Sequence, residues 1–407
     1  MNQQHNKPNT NKMKTTSKLL AALLLGSAAL FSSCSSDDKE TVKNYPMTVK
    51  FMMNDGMSWS NLSDMKLIVT NDKGLRDTID VKADTTITFV QGQYNFIVTG
   101  KVKDEAAAYA QGAANASLFG AATVNISLNK IVRSPLVFKS IFTTGGKMYY
   151  MKDSYFEIVN NSDEVQYLDG LILSAPYGQQ KGKNAWQANG YEDLYASGQG
   201  QVLAFPGSGH DYPLKPGQSI VIANDATDHK PLAKSENCPD LSKADWEVYL
   251  SYANGEVDYP AENLNVIFKN NPYMKAFGLG VMGRAYLLAR LPKGMTPEAY
   301  AADKKNVMTE PGNPGAKMEY LMIPSKYVLD AVDIWNEKST EHYGTFLPKD
   351  DAQGVLASKA WEGKCVRRKV TKIVNGRPYY QDTNNSANDF LNNQPLTPGV
   401  TPTAVDK

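Results

Sequence analysis

Hydrophobic and polar positions divide the chain into three regimes. The first is an unbroken apolar or small run from Leu19 to Phe31, behind Lys14 and Lys18 and closed by Ser32, Ser33 and Cys34. Basic, then apolar, then small is the order of a secretory signal, and the run falls short of the ~20 apolar residues a bilayer-spanning helix needs. The second regime alternates with period two. Met47, Val49 and Phe51 fall on one face and Thr48 and Lys50 on the other, as in a half-buried strand. Further strands are predicted over Met65–Thr70, Leu75–Val81, Thr85–Val90, Gln93–Val102 and Thr123–Leu128, with Asn71-Asp72-Lys73-Gly74 as a hairpin turn. The alanine-rich stretch from Lys103 to Ala116 breaks this rhythm and is expected as a loop or short helix. The third regime, from residue 131 on, carries apolar strands separated by long insertions, among them Leu136-Val137-Phe138, Tyr155–Val159 and Ile220–Ala223.

These patterns predict an all-β chain of two antiparallel β-sandwiches in tandem. The expected organisation is a signal peptide over 1–33, a disordered acidic tether over 34–44, a small sandwich over 45–129, a larger one over 131–392 and a disordered Pro/Thr tail over 393–407.

Composition removes several classes. With 42% hydrophobic residues in 407, the chain can bury a sizeable core. Its 43 Lys+Arg against 42 Asp+Glu leave no basic excess to drive nucleic-acid binding. Three cysteines cannot staple a fold of this size. Removal of residues 1–33 takes four lysines and no acid, so the remaining body is mildly acidic.

Ser32-Ser33-Cys34 resembles the lipobox of bacterial lipoproteins, with Phe31 where that pattern prefers Leu. The resemblance implies diacylglycerol on the Cys34 thiol and membrane attachment through lipid. Ser35-Ser36-Asp37-Asp38-Lys39-Glu40 resembles the surface-export signal of Bacteroidota lipoproteins, which implies the outer face of the outer membrane, with periplasmic retention as the alternative. Gly92-Gln93-Tyr94-Asn95-Phe96-Ile97 resembles a strand of prealbumin-like or carboxypeptidase-regulatory-like domains, and the small sandwich is read as a spacer. In the large domain, Glu157-Ile158-Val159-Asn160, Leu168-Asp169-Gly170 and Leu214-Lys215-Pro216-Gly217 resemble a lamin-tail-like domain, an immunoglobulin-type sandwich. Together with Asp228-His229 and Asp382–Phe390, they resemble a family of Bacteroidota surface lipoproteins with a domain of unknown function. That resemblance implies a fold and a location rather than a reaction.

Candidate chemistry sits in the insertions. Tyr177, Trp186, Tyr191 and Tyr195 lie among Gly, Gln, Asn and Ser in a loop too long for a plain connection. Rigid rings among adaptable polar residues suit ligand or partner contact; the other reading is a satellite core. Asp225, Asp228 and His229 suit a metal site or a structural turn with a helix cap, and their spacing matches no established zinc motif. Cys238 and Cys365 are free to pair in an oxidising compartment, or to remain as thiols. No spacing marks a nucleophile elbow or a nucleotide-binding loop, so no catalytic residue and no cofactor is assigned. Arg367-Arg368-Lys369 reads as a solvated basic run, and Asp382–Ser386 as a polar turn bonded to its own backbone.

The expectation is a non-enzymatic, outer-membrane-anchored lipoprotein, exposed at the surface. It would act as a binding or accessory module whose partners are the membrane, through its lipid, and an outer-membrane transporter or an extracellular ligand. A metal-dependent or glycan-acting hydrolase and an adhesin or structural subunit are the competing classes.

Overall fold

The computed structural model describes residues 43–406 apart from 72, 74, 105–107, 147–149, 151, 179–181, 279 and 282. The signal, Cys34 and the tether up to residue 42 lie outside the described residues.

Two β-sandwiches follow one another. The smaller consists of β1 (Asn44–Met53), β2 (Leu62–Asn71), β3 (Arg76–Asp80), β4 (Thr85–Val90), β5 (Gly92–Val102), β6 (Ala108–Leu118) and β7 (Ala122–Val132). The alternation on β1 does what its pattern requires, with Met47 and Val49 fully buried and Phe51 nearly so. They pack with Leu67, Val69, Phe96, Val98 and Ile126 in one core. β7 joins the two layers, because residues 122–128 run parallel to β1 while 129–132 pair antiparallel with β6.

The alanine-rich stretch departs from expectation. It is not a loop or a short helix: its described part from Ala108 on is the 11-residue strand β6, hydrogen-bonded along its length to β5. Alanine's helix preference is worth only ~1 kcal/mol per residue even against glycine, and two waiting strand partners outweigh it. The small side chains have a packing reason as well. A Cβ on Gly112 would lie 2.3 Å from the Ser127 carbonyl oxygen and 2.9 Å from Ile126, so the crossing of β6 over β7 admits no larger residue.

The larger sandwich faces one seven-stranded sheet with another layer. The first sheet runs Glu262–Asn263, Trp246–Glu247, Ser219–Ala223, Tyr155–Asn160, Leu136–Phe142, Lys364–Arg368 and Phe390–Pro395 in spatial order. The second centres on Leu194–Ala204, Leu171–Pro176, Ala285–Arg290 and Val328–Trp335. Between them Phe138, Phe156, Ile158 and Ile222 meet Leu173, Leu203, Tyr286, Leu288 and Val332. The insertions close over the outer faces and add smaller cores of their own.

The chain end also departs from expectation. The last strand runs to Pro395, and residues beyond it are docked rather than disordered. Lys139 Nζ donates to the Val400 carbonyl at 2.8 Å, and the Asp406 carboxylate takes two hydrogen bonds from Arg367, at 2.7 and 2.9 Å. Proline and threonine composition hid this, because what holds the tail is charge on a sheet far back in the sequence: the buried Lys139–Glu157 pair at 2.5 Å, together with Arg367.

Candidate functional site

The aromatic insertion lies between the strands Leu171–Pro176 and Leu194–Ala204. A reciprocal cap opens the short helix Ala185–Ala188: Asn184 accepts from the Gln187 amide, and the Gln187 side chain accepts from Asn184 N–H. This turn drives Trp186 inward, to 1% exposure, against Tyr177 at 5.4 Å and Tyr320 at 4.9 Å between ring centroids. Tyr191 packs half-buried on the same cluster. Tyr195 is buried against Phe346 and donates to Asp350 at 2.5 Å. Trp186, with Tyr177 and Tyr191 against it, therefore forms a satellite core, and Tyr195 belongs to a second core with Phe346. Trp186 and Tyr195 bring more apolar area than an exposed loop can leave in water, and a ring from a distant part of the chain covers each.

The same insertion contributes one wall of a cleft of about 390 Å³, lined by Lys183, Gln187, Glu192, Tyr343, Leu347 and the backbone at Gly182 and Gly344. Its two walls come from distant parts of the chain and are tied together from below. Gln187 donates to the Thr345 carbonyl at 3.3 Å, and Thr345 N–H donates to the buried Asp333 carboxylate at 2.6 Å. Leu347 N–H donates to the Tyr195 hydroxyl at 3.0 Å. Contact is close enough that a Cβ on Gly178 would meet Thr345 Oγ1 at 2.1 Å. At the rim, Lys183 pairs with Glu192 at 2.5 Å with both side chains largely exposed. Tyr343 donates its hydroxyl to Glu341 at 2.9 Å, a bond that holds the phenol above its ordinary pKa. Lys183, Glu192, Tyr343 and Leu347 escaped the sequence reading. Loop charges carry no pattern, and Tyr343 stands about 150 positions from Lys183 and Glu192 on the opposite wall.

Asp225, Asp228 and His229 come together as a structural cluster. Asp228 caps the helix His229–Ala233 by accepting from Lys230 N–H at 3.1 Å. His229 is fully buried, with Nε2 2.9 Å from the Asp225 carbonyl and Nδ1 2.6 Å from the Tyr150 hydroxyl. A carbonyl only accepts, so Nε2 carries the proton and Nδ1 accepts from the phenol. Burial holds the imidazole below its usual pKa and favours this neutral form. The Asp225 carboxylate is raised by burial and takes a bond from Lys152, which also donates to Glu256 at 2.8 Å. Among the described residues, no group of three or more His, Cys, Asp or Glu is placed to hold a metal ion.

Cys238 and Cys365 are both buried free thiols, so the disulfide is not formed. Each has a separate environment: Cys365 donates weakly to the Pro395 carbonyl, and Cys238 borders the Asp153 carboxylate. Burial pushes Cys238 up to about 12 and Cys365 up to about 11, which leaves both protonated and poor nucleophiles at neutral pH.

The basic run Arg367-Arg368-Lys369 is not a solvated face. Arg368 is 1% exposed and donates to Asp330 at 2.6 Å, to Asp382 at 3.4 Å and to the Phe138 carbonyl at 2.7 Å. The polar turn after it does close on itself, with Thr383 N–H donating to Asp389 at 2.7 Å, but the whole turn is wrapped around that guanidinium.

With this geometry in place, comparison with known proteins adds the following. Residues 215–397 match the family described as "Protein of unknown function (DUF4876)". A crystal structure of a DUF4876 family protein from Bacteroides thetaiotaomicron VPI-5482 is similar over 88% of this chain and 96% of that one, with 28% identity and a TM-score of 0.56. No curated protein matches the chain. The DUF4876 match takes in the Tyr343–Leu347 wall of the cleft and the Arg368 cluster, while Lys183 and Glu192 lie before it. No described helix is long and apolar enough to cross a membrane.

Proposed function

We propose that this chain is an outer-membrane lipoprotein, anchored by acyl chains on Cys34 and facing the cell exterior. There it would serve as a non-catalytic binding or accessory module of a transporter-type uptake system. Anchoring is supported by the Leu19–Phe31 run ending in Ser32-Ser33-Cys34, and outward display by the acidic residues that follow. The small sandwich is a spacer, and the larger one, lamin-tail-like in its strand motifs, presents the cleft.

The observation that carries the binding role is the build of the cleft. Its walls are fixed by Thr345, Asp333 and Tyr195 beneath it, while the Lys183–Glu192 pair and the Tyr343 ring line the rim. A preformed concave surface with a few convergent polar groups on a rigid floor is what a ligand site needs. The buried groups point the same way: thiols held protonated and a histidine locked between two partners are poor reagents and good scaffolding.

The test is affinity recovery of the tagged, lipidated protein from native membranes, beside protease shaving of intact cells. Cys34→Ala is expected to leave the membrane fraction, and the wild type to be shaved and to bring down a transporter. Protection from shaving would retract the outward orientation. Turnover of a polymer substrate without any recovered partner would replace the reading with an enzyme.

A further inference from the structure

We propose that the ligand taken by the cleft is a neutral saccharide, held with one pyranose face on Tyr343 and adjacent hydroxyls on the Lys183–Glu192 pair. This inference rests on the reading of the cleft as a binding site and names its ligand class. Three features lead to it. First, the rim pair is already neutral as a unit, with Lys183 Nζ 2.5 Å from a Glu192 oxygen and both side chains at least half exposed. A ligand of either sign would gain from one partner and be repelled by the other. A vicinal diol carries no charge, and each hydroxyl both donates and accepts, so it meets the ammonium and the carboxylate without separating them. Second, the Tyr343 hydroxyl is committed to Glu341, so the ring is what this residue offers the cleft. The electron-rich face of an aromatic ring attracts weakly positive C–H groups, and one face of a pyranose presents a flat set of them. Third, both ends of the Gln187 side chain are used, Oε1 by Asn184 N–H and Nε2 by the Thr345 carbonyl, so this residue fixes the wall and leaves recognition to the rim.

The geometry gives a pattern of variants that a charged ligand would not share. Tyr343→Ala should weaken binding about tenfold and Tyr343→Phe hardly at all, because the ring and not the hydroxyl makes the contact. Lys183→Ala and Glu192→Ala should each cost about tenfold, the scale of losing a hydrogen bond to a charged group. The double exchange Lys183→Glu with Glu192→Lys keeps a neutral pair and should bind within a few-fold of wild type.

The experiment is isothermal titration of the full soluble chain, Cys34→Ser, with methyl pyranosides and disaccharides of glucose, galactose and mannose, alongside free amino acids and short peptides. Saccharide binding with the variant pattern above supports the proposal. Binding of charged amino acids or peptides that is lost in Tyr343→Ala, with none of saccharides, overturns it and leaves the cleft a binding site. Absence of binding by either class, or binding indifferent to Tyr343→Ala, overturns both the saccharide and the cleft.

Discussion

Arg368 reaches across from the strand Lys364–Arg368 of one sheet to Asp330 on Val328–Trp335 of the other, at 2.6 Å and with both side chains shut off from solvent. Asp330 in turn accepts from Phe138 N–H at 2.7 Å, and Arg368 Nε donates to the Phe138 carbonyl, so the ion pair also carries backbone hydrogen bonds of the first sheet. Asp382 and Asp389 complete the shell at 3.4 and 3.6 Å.

Loss of the guanidinium would strand three carboxylates in the interior. Arg368→Leu is expected to lower unfolding free energy by about 3–5 kcal/mol, the usual cost of removing one partner of a buried ion pair. Asp330→Asn, which keeps a hydrogen-bond acceptor, should cost less. Denaturant midpoints at constant slope measure both, and a midpoint for Arg368→Leu equal to wild type would show that the cluster does not hold the sheets together.

The same cluster sets a pH dependence. One guanidinium faces three buried carboxylates, and burial, opposed by Arg368, raises Asp330 and lifts Asp382 to about 7. Against an unfolded aspartate near ~3.9, the folded state binds the Asp382 proton more tightly. The associated stability is complete below the unfolded pKa and is lost as pH rises through about 7. Asp351, raised by burial and by Asp333 beside it, acts in the same direction. Asp169 and Asp406 are lowered and lose their contributions only in acid, while His229, also lowered, works against folding once pH falls below ~6.5. Thermal midpoints should therefore rise as pH drops from 8 to about 6.5, and Asp382→Asn should flatten that slope. An unchanged slope in the variant would assign the effect elsewhere.

How much of this was visible in the sequence depends on whether the cause was local. Strands whose own residues alternate, such as Met47-Val49-Phe51, declare themselves, because one buried face is enough to set their period. β6 does not, since Ala108 and Ala110 are small at buried positions and another strand passes too close to Gly112 for a Cβ, which leaves no hydrophobic rhythm. The aromatic insertion was located in the sequence, but its role stayed open between contact surface and satellite core, because the rings that cover Trp186 and Tyr195, Tyr320 and Phe346, come much later in the chain. Arg368 looked like a surface charge because its three acids lie at three other places, and the tail looked disordered because the cations that bind it are on remote strands. Local pattern gives elements; pairing between distant charges and rings gives the site.

The two thiols offer a direct check on burial. Cys238 and Cys365 should resist a thiol reagent such as Ellman's in the native Cys34→Ser protein and both react once it is unfolded in guanidinium without reductant. A native-state mass lower by two hydrogens, or fewer than two thiols after unfolding, would restore the disulfide.

The docked tail yields the last prediction. Asp406 accepts from both terminal nitrogens of Arg367 and from Val370 N–H at 2.8 Å, and its own N–H donates to the Val370 carbonyl at 3.0 Å. Burial works to raise its pKa, but the bonds from Arg367 and Val370 N–H outweigh it and hold it lowered, so its contribution is present above the ordinary aspartate range and disappears as pH falls through the lowered value. Asp406→Ala should cost about 1–2 kcal/mol at neutral pH, since hydrogen bonds to a charged acceptor are the stronger kind. The loss should be local as well as global. Val370 N–H, deprived of its acceptor, should exchange with solvent much faster in hydrogen–deuterium measurements, and truncation before Leu396 should add exposure of Lys139 and Glu157 beneath the strap. If Val370 exchanges at the wild-type rate in Asp406→Ala, the tail contact does not exist in solution and the chain end is free.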